Sequence, residues 1–279
     1  MNTLNEETNI AWALRSVCSV ANEIIIVDMH SVDATVSIAE SFGARVFYHE
    51  RLAFADPARE FALSKATGDW ILLLDADEVV PWRLMNRLKL HADQLGAEDV
   101  LLLPRQNFAL GAPIQGLGWA GKDDYQIRFF RNGSVQSTGE IHNFLRVVQG
   151  SRVGRLPYAS ELCILHFSYT DLASVVERVD RYTSIEAASR LDKGRQPSLV
   201  RALAVAPLEF IRRYLILGGY RDGWRGFYLA TLLATYKLLQ EAKMQQLATV
   251  GGEGQILKIY EEIAAAAIVP EPTSEQEPR

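Results

Sequence analysis

Two carboxylates two residues apart, Asp75 and Asp77 in Leu72-Leu-Leu-Asp75-Ala76-Asp77-Glu78, are the strongest chemical signal in this chain. The apolar run before them, from Trp70, reads as a buried strand that would deliver both acids to one edge of a sheet. Adjacent acids repel unless something cationic lies between them. A divalent ion with oxygen ligands, Mg²⁺ or Mn²⁺ bridging a diphosphate, would resolve that repulsion. The plainer alternative is a helix N-terminus decorated with acids, which the helix dipole favours. A calcium loop of the EF-hand type does not fit, because no Gly takes its sixth position and no Glu its twelfth.

A second acid, Asp28, ends the apolar run Glu23-Ile-Ile-Ile-Val-Asp28 and is followed by Ser31-Val-Asp33-Ala-Thr35. Acids at two strand ends of one sheet would meet in one crevice. Asp33 reads as a helix cap. Before the first helix, Thr3-Leu4-Asn5-Glu6-Glu7 offers backbone N–H groups to an anion or a base edge, or else Asn5 simply caps the helix. Of the histidines, His30, His49 and His91 read as surface or loop residues. His142, in Gly139-Glu140-Ile-His142-Asn143, is a candidate metal ligand or substrate contact, and His166 fits a satisfied core histidine equally well.

The elements that must position these groups alternate between two periods. Apolar runs at 23–28, 45–49, 70–75 and 100–103 read as strands. Amphipathic stretches at about 10–18, 33–42, 57–66 and 82–91 read as helices. Buried strands separated by helices mean a parallel sheet covered on both faces, with ligands at the strand C-termini. Residues 107–160 are rich in Gly and aromatics and read as loops and antiparallel strands. Gln126-Ile-Arg-Phe-Phe-Arg131 before Asn132-Gly133 is a hairpin signal. A strand is expected at 162–167. From Asp171 the chain is helical, with Leu172, Val175, Val176, Val179 and Tyr182 on one stripe. Further helices follow at about 199–217, 224–244 and 255–268, the first two broken at Gly218-Gly219.

The chain has 279 residues, 48% of them apolar and 23% charged, as in ordinary globular proteins. Its two cysteines, Cys18 and Cys163, each sit in apolar surroundings and read as buried core thiols, compatible with a reducing cytoplasm. The net charge of −5 is unevenly spread. Residues 1–100 carry −8, so nucleic acid is not an expected partner, whereas residues 178–243 carry +6 and suit an anionic surface. Neither a signal-peptide pattern nor a membrane-spanning run is seen: the longest charge-free apolar stretch near the C-terminus, Gly226–Tyr236, is 11 residues, where a spanning helix takes about 20.

Seven segments in order now form a resemblance. They are Thr3-Leu-Asn-Glu-Glu7, the run ending in Asp28 with Ser31-x-Asp33-x-Thr35, Arg59-x-Phe-Ala-Leu63 with Ala66-Thr-Gly-Asp-Trp70, and Leu72 to Glu78. Gln126 to Arg131, Gly139-x-Ile-His142 and Leu165-His-Phe-Ser-Tyr169 complete the set. Together they resemble family 2 glycosyltransferases, nearest to the bacterial lipopolysaccharide core or β-1,4-glucosyltransferase subgroup. Phe210-Ile-Arg-Arg-Tyr214 and Gly218-Gly-Tyr-Arg-Asp-Gly223 extend the likeness to about residue 245.

The resemblance implies an α/β fold of the GT-A, Rossmann-like kind with a mostly parallel sheet, over residues 1–168. A helical region, 169–268, and a disordered tail, 269–279, would follow. It implies a nucleotide diphosphate sugar donor, a divalent Mg²⁺ or Mn²⁺, and a cell-envelope glycan or lipid-linked acceptor. Carried across by position, Leu4, Asn5 and Glu6 would line the nucleotide pocket with Asp28 at the base, and Asp75 and Ala76 would also contact the donor. Asp75, Asp77 and His142 would face the metal. Two departures stand out. Members of this family normally carry a full strand before the Thr-x-Asn-Glu-Glu segment, and here only Met1-Asn2 precede it, so the first strand is expected to be missing or truncated. The subgroup usually has Glu after the His, where this chain has Asn143, so Glu140 or Asp124 would have to act as general base. Inverting transfer on the inner face of the cell membrane is the leading expectation. A degenerate transferase serving as a binding module, a nucleotidyltransferase and a dehalogenase-type phosphatase are the rivals; the last two lack their phosphate loop and first-strand motif here.

Overall fold

The computed structural model describes residues 1–51, 56–94, 98–137 and 145–268. In chain order the first half contains β1 (Asn2–Thr3), α1 (Ile10–Val17), β2 (Ile25–Asp28), α2 (Thr35–Ser41), β3 (Arg45–Tyr48), α3 (Asp56–Lys65), β4 (Trp70–Leu72), β5 (Glu78–Val79) and α4 (Trp82–Asp93). The glycine-rich middle forms β6 (Val100–Ala109), β7 (Ala112–Pro113), β8 (Tyr125–Arg131), β9 (Val135–Ser137), β10 (Leu145–Val147), β11 (Val153–Arg155) and β12 (Ile164–Tyr169). Four helices follow, α5 (Leu172–Asp192), α6 (Leu199–Ile211), α7 (Gly223–Thr249) and α8 (Glu253–Ile268).

β1, β2 and β3 form a parallel sheet in the order β1-β2-β3. Alternation along β2 sends Ile26 to one face and Val27 to the other. Ile26 packs with Ile10 and Leu14 of α1 and Ala39 of α2. Val27 packs with Ala58 and Ala62 of α3. Helices therefore cover both faces, as the sequence implies. α1 has the required spacing, burying Ile10, Ala13, Leu14 and Val17 on one stripe. Cys18 follows that stripe in sequence but is exposed, contrary to expectation, because it caps the helix one position past its buried face. Cys163 is buried, and burial pushes its thiol up to about 11.

The second sheet is mixed, in the order β4-β8-β6-β12-β5, with β7 and β11 also paired to β6. β12 and β11 run parallel to β6, while β8 runs antiparallel to both β4 and β6. This explains the fate of the expected hairpin. The Asn132-Gly133 turn forms, closed by Ser134 N–H donating to Arg131 O (2.9 Å), but β9 pairs with β10 and not with β8. Both edges of β8 are already taken by β4 and β6.

The first strand is shortened, not missing. Asn2 and Thr3 pair in parallel with Val27 and Asp28. The Met1 amino group donates to Ile25 O (2.8 Å) where a ladder N–H would stand, and burial lowers its pKa to about 6. Among the described residues no strand joins this sheet to β4. A cavity of about 520 Å³ lies there instead, lined by Met1, Ile24, Ile25, Trp70, Leu72 and Phe129 among others.

The chain divides into two compact units, Met1–Val175 with Ile211–Ala230, and Val176–Phe210 with Thr231–Arg279. The expected tail, 269–279, lies outside the described residues. In α5 the buried seam is Val175, Val179, Thr183 and Ala187, while Leu172 and Val176 of the expected stripe are exposed. Within the second unit, Arg201 donates to both oxygens of Glu241 (2.7 Å each), and the Tyr236 hydroxyl donates to Glu186 (2.6 Å). Burial and the Glu186 carboxylate push that hydroxyl's pKa up. Among the described residues no helix is long and apolar enough to cross a membrane.

Candidate active site

The C-terminal ends of β1 and β2 carry two loops that bond each other reciprocally. Asn5 N–H donates to Ser31 Oγ (2.8 Å), Glu6 N–H to Thr35 Oγ1 (2.7 Å) and Glu7 N–H to Asp33 Oδ2 (3.1 Å). In return Val32 N–H donates to Asn5 Oδ1 (2.9 Å) and Ala34 N–H to Glu7 Oε2 (3.0 Å). Asn5 reaches this geometry with φ +56°, a region that Asn tolerates better than most residues. The N–H groups expected to face an anion are thus bonded within the fold. Asp33 accepts from Thr35 N–H at the start of α2 (3.0 Å), in keeping with its capping role.

Asp28 lies beneath this junction with no exposed surface. Its Oδ2 accepts from the hydroxyls of Thr3 (2.8 Å) and Ser31 (2.6 Å), and its Oδ1 from Ser31 N–H (2.7 Å). It holds the two loops at the crevice edge. Leu4 packs against the Val27 cluster on the α3 side of β2.

The Asp75–Asp77 loop is built differently. Beyond β4, Leu73 N–H still donates to Arg128 O of β8 (2.8 Å), and the Asp75 N–H turns to Glu78 Oε2 (3.0 Å). Ala76 is buried against Ile10, Leu14 and Ile26, which sets the loop beside the strand that ends in Asp28. Arginines supply the positive charge that the clustered acids require. Asp75 Oδ1 pairs with Arg59 of α3 (2.5 Å) and its Oδ2 with Arg128 of β8 (2.5 Å). Glu78, fully buried, pairs with Arg128 (2.7 Å) and Arg105 of β6 (3.2 Å). Burial opposes ionisation of Asp75, but Arg128 and then Arg59 outweigh it and hold its carboxyl well below the usual range. Burial would lower the Arg128 pKa, but Asp75 and Glu78 raise it.

Asp124 closes the other side of this network. Its Oδ2 accepts from Arg105 Nε (2.9 Å) and Asn107 Nδ2 (2.8 Å), and its Oδ1 from Gln126 Nε2 (2.6 Å). Burial is outweighed by Arg105, Asn107 and Gln126, and its pKa is lowered. Asp124 Oδ1 accepts a single hydrogen bond, from Gln126, and keeps one lone pair beyond it. Glu140, His142 and Asn143 lie outside the described residues.

His166 was open between core and site on sequence alone, and its position in β12 settles its surroundings. Its Nε2 lies 3.3 Å from Asp77 Oδ2 and its Nδ1 2.6 Å from Asn107 Oδ1. The Asn107 amide donates to Asp124 Oδ2 and to Trp119 O (2.8 Å), so its Oδ1 is the acceptor turned to the ring. Asn107 therefore holds the ring at Nδ1 and leaves Nε2 turned to Asp77. A ligating histidine is ordinarily oriented in this way, through its other ring nitrogen. Among the described residues no group of three or more His, Cys, Asp and Glu side chains could hold a metal. Asp77 and His166 form a two-donor set, which fits a Mg²⁺- or Mn²⁺-type ion completed by substrate phosphates. His91, expected at the surface, is buried in α4, bonded to Glu98 O (2.8 Å) and set edge-on to Trp70.

The family model for glycosyl transferase family 2 matches residues 1–144, which contain the Asp28 junction, the Asp75–Asp77 loop and Asp124. The chain belongs to glycosyl transferase family 2. As a member of that family it is a glycosyltransferase. Over 257 residues it is 28% identical to an uncharacterized glycosyltransferase of Rickettsia bellii, covering 88% of this chain and 85% of that protein. It is 26% identical over 253 residues to the lipopolysaccharide core biosynthesis glycosyltransferase LpsC of Rhizobium meliloti, covering 87% and 89%. Among solved structures, residues 1–349 of S. aureus TarS in complex with UDP-GlcNAc align over 88% of this chain and 90% of that one, at 13% identity and a TM-score of 0.47. The candidate site in this chain is a crevice with one rim built of hydroxyls and amides and the other of ion pairs.

Proposed function

We propose that this glycosyltransferase moves a hexose from a nucleotide diphosphate sugar to a cell-envelope glycan or lipid-linked acceptor, with inversion and with a divalent cation. The observation that carries the reading is Asp77 Oδ2 at 3.3 Å from His166 Nε2, with Asn107 Oδ1 holding the ring at Nδ1 (2.6 Å). Asp77 and His166 would hold the Mg²⁺ or Mn²⁺. When bound, the ion would offset charge building on the departing diphosphate. Leu4, Asn5, Glu6 and Asp28 shape the nucleotide end, Asp28 by holding the loops that meet the base. Asp75 and Ala76 form the floor between the two ends, Asp75 held in place by Arg59 and Arg128.

Inversion requires a carboxylate to take the acceptor proton as the hydroxyl attacks the anomeric carbon opposite the diphosphate. The candidates for that role are Asp124 and Glu140; Asp124 is held by Arg105, Asn107 and Gln126 with one Oδ1 lone pair to spare. General-base help of this kind contributes about 10²–10⁴-fold.

Likeness to LpsC, a lipopolysaccharide core biosynthesis glycosyltransferase, supports an envelope glycan acceptor. The decisive experiment measures hydrolysis or transfer from a panel of nucleotide sugars with and without Mn²⁺. Wild type should turn over one donor only with the metal. Asp77→Asn and His166→Ala should each lose about 10³-fold. Full turnover in either variant would refute the assignment of the cation to that pair.

A further inference from the structure

The segment 211–230 belongs to the same compact unit as the site, yet the chemistry above makes no use of it. It leaves α6 through an irregular turn at Arg212–Ile216, reverses at Gly218-Gly219 and enters α7. Ile211, Leu215, Ile216, Tyr220, Trp224, Phe227 and Tyr228 are all large, apolar or aromatic, and exposed; Ile216 reaches 74%. Scattered apolar side chains on a surface are ordinary, but seven within 18 residues on two connected pieces of chain form a patch.

The same 20 residues hold Arg212, Arg213, Arg221 and Arg225 against one acid, Asp222. That acid is spent inside the fold: its carboxylate accepts from Gln115 N–H (2.7 Å) and Gly116 N–H (3.0 Å). Arg221 and Arg225 lie over the rings of Tyr220 and Trp224 at 5.7 and 4.7 Å. The patch is also stiff. Arg213 Nη1 donates to Leu117 O (2.6 Å) and Arg225 Nε to Leu110 O (2.8 Å). Gly116 lies so close to Gly218 that a Cβ there would come within 2.3 Å of its carbonyl oxygen. Trp224, Phe227 and Tyr228 contact one another edge to face.

We propose that this surface docks on an anionic lipid bilayer. Aromatic rings and aliphatic side chains enter the headgroup–acyl boundary while interleaved arginines meet lipid phosphates, the division of labour of an interfacial anchor. A net positive segment whose one carboxylate is internally committed complements an anionic headgroup layer. It offers a basic protein face nothing to pair with. The surface is clamped to the 110–118 loop, which follows the strand carrying Asn107, so docking would set the orientation of the site toward lipid-borne acceptors. The proposal draws on the envelope-acceptor reading for its purpose but not for its test.

Flotation of the full chain with vesicles of phosphatidylcholine, alone or with about 30% phosphatidylglycerol, tests it directly. Wild type should float with the anionic vesicles, release as salt rises, and shift its Trp emission to the blue. Trp224→Phe should lose that shift. The double variant Leu215→Ser with Ile216→Ser, at exposed positions, should keep its Tm and bind about tenfold more weakly. Soluble donor turnover should survive the double variant, and Asp77→Asn should still float, so the two readings fail separately. The proposal is overturned if wild type ignores anionic vesicles or if the double variant floats equally well. A concentration-dependent dimer that the double variant abolishes, without vesicle binding, would make the patch a protein interface and also overturn it.

Discussion

The two rims of the crevice solve one problem in opposite ways. At the Asp28 rim, buried and half-buried acids are satisfied by hydroxyls and backbone N–H groups from residues 3–7 and 28–35. At the Asp75 rim, the acids are satisfied by arginines from α3, β6 and β8. Neutral donors fix geometry with little long-range field. Guanidinium groups also offset the charge of Asp75, Glu78 and Asp124 in a partly buried place. Within that second rim, among the described residues, only Asp77 has a histidine for its partner. The contrast teaches that the clustering of acids does not by itself single out a candidate metal ligand; the proposal for Asp77 rests on the partner it has been given.

The sharpest challenge to this contrast is Arg128→Met. It strands Asp75 and the buried Glu78 with one guanidinium each, and should cost about 3 kcal/mol of stability, at the low end for a broken buried pair because Arg105 and Arg59 remain. Chemical denaturation reads this; a loss below that of a single hydrogen bond would erase the distinction between the rims. Asn107→Leu should free the His166 ring, raising the Mn²⁺ concentration for half-maximal turnover by about 10–100-fold. An unchanged metal requirement with reduced stability alone would make Asn107 merely structural.

The Met1 amine supplies a pH test. Its folded pKa is lowered to about 6 from 8.0, so between those values the unfolded chain binds more protons. Stability should therefore rise from pH 6 to pH 8, by about 2 kcal/mol, and fall as pH drops through that window. Acetylating the amine should flatten the slope; a slope that persists would assign it elsewhere. Smallest of all, Ser31→Ala removes one hydroxyl from each of Asp28 and Asn5, and should lower stability by about 1 kcal/mol. A loss as large as that of Arg128→Met would mean the neutral rim is as demanding as the charged one.

Much of this was legible in the residues. Period-2 and period-3.6 patterns placed α1, β2, α2 and α4 within a few residues, because each buries a face its own sequence marks. The pairing of β9 was not legible, since a turn signal cannot report that both edges of β8 are filled by distant strands. Nor could local reading separate His91 from His166: one is a core ring and the other a neighbour of Asp77, and only the strands and rings packed around them tell them apart.

The order of apolar and polar residues along the chain was enough to specify an α/β fold, the crevice at the strand ends and the acids delivered to it, since these follow from local periodicity and from chain direction. Which acid meets an arginine and which meets a histidine depended on residues more than 50 positions away, Arg128 and His166 among them. Such partners are brought together by packing and not by spacing, and no local pattern records them.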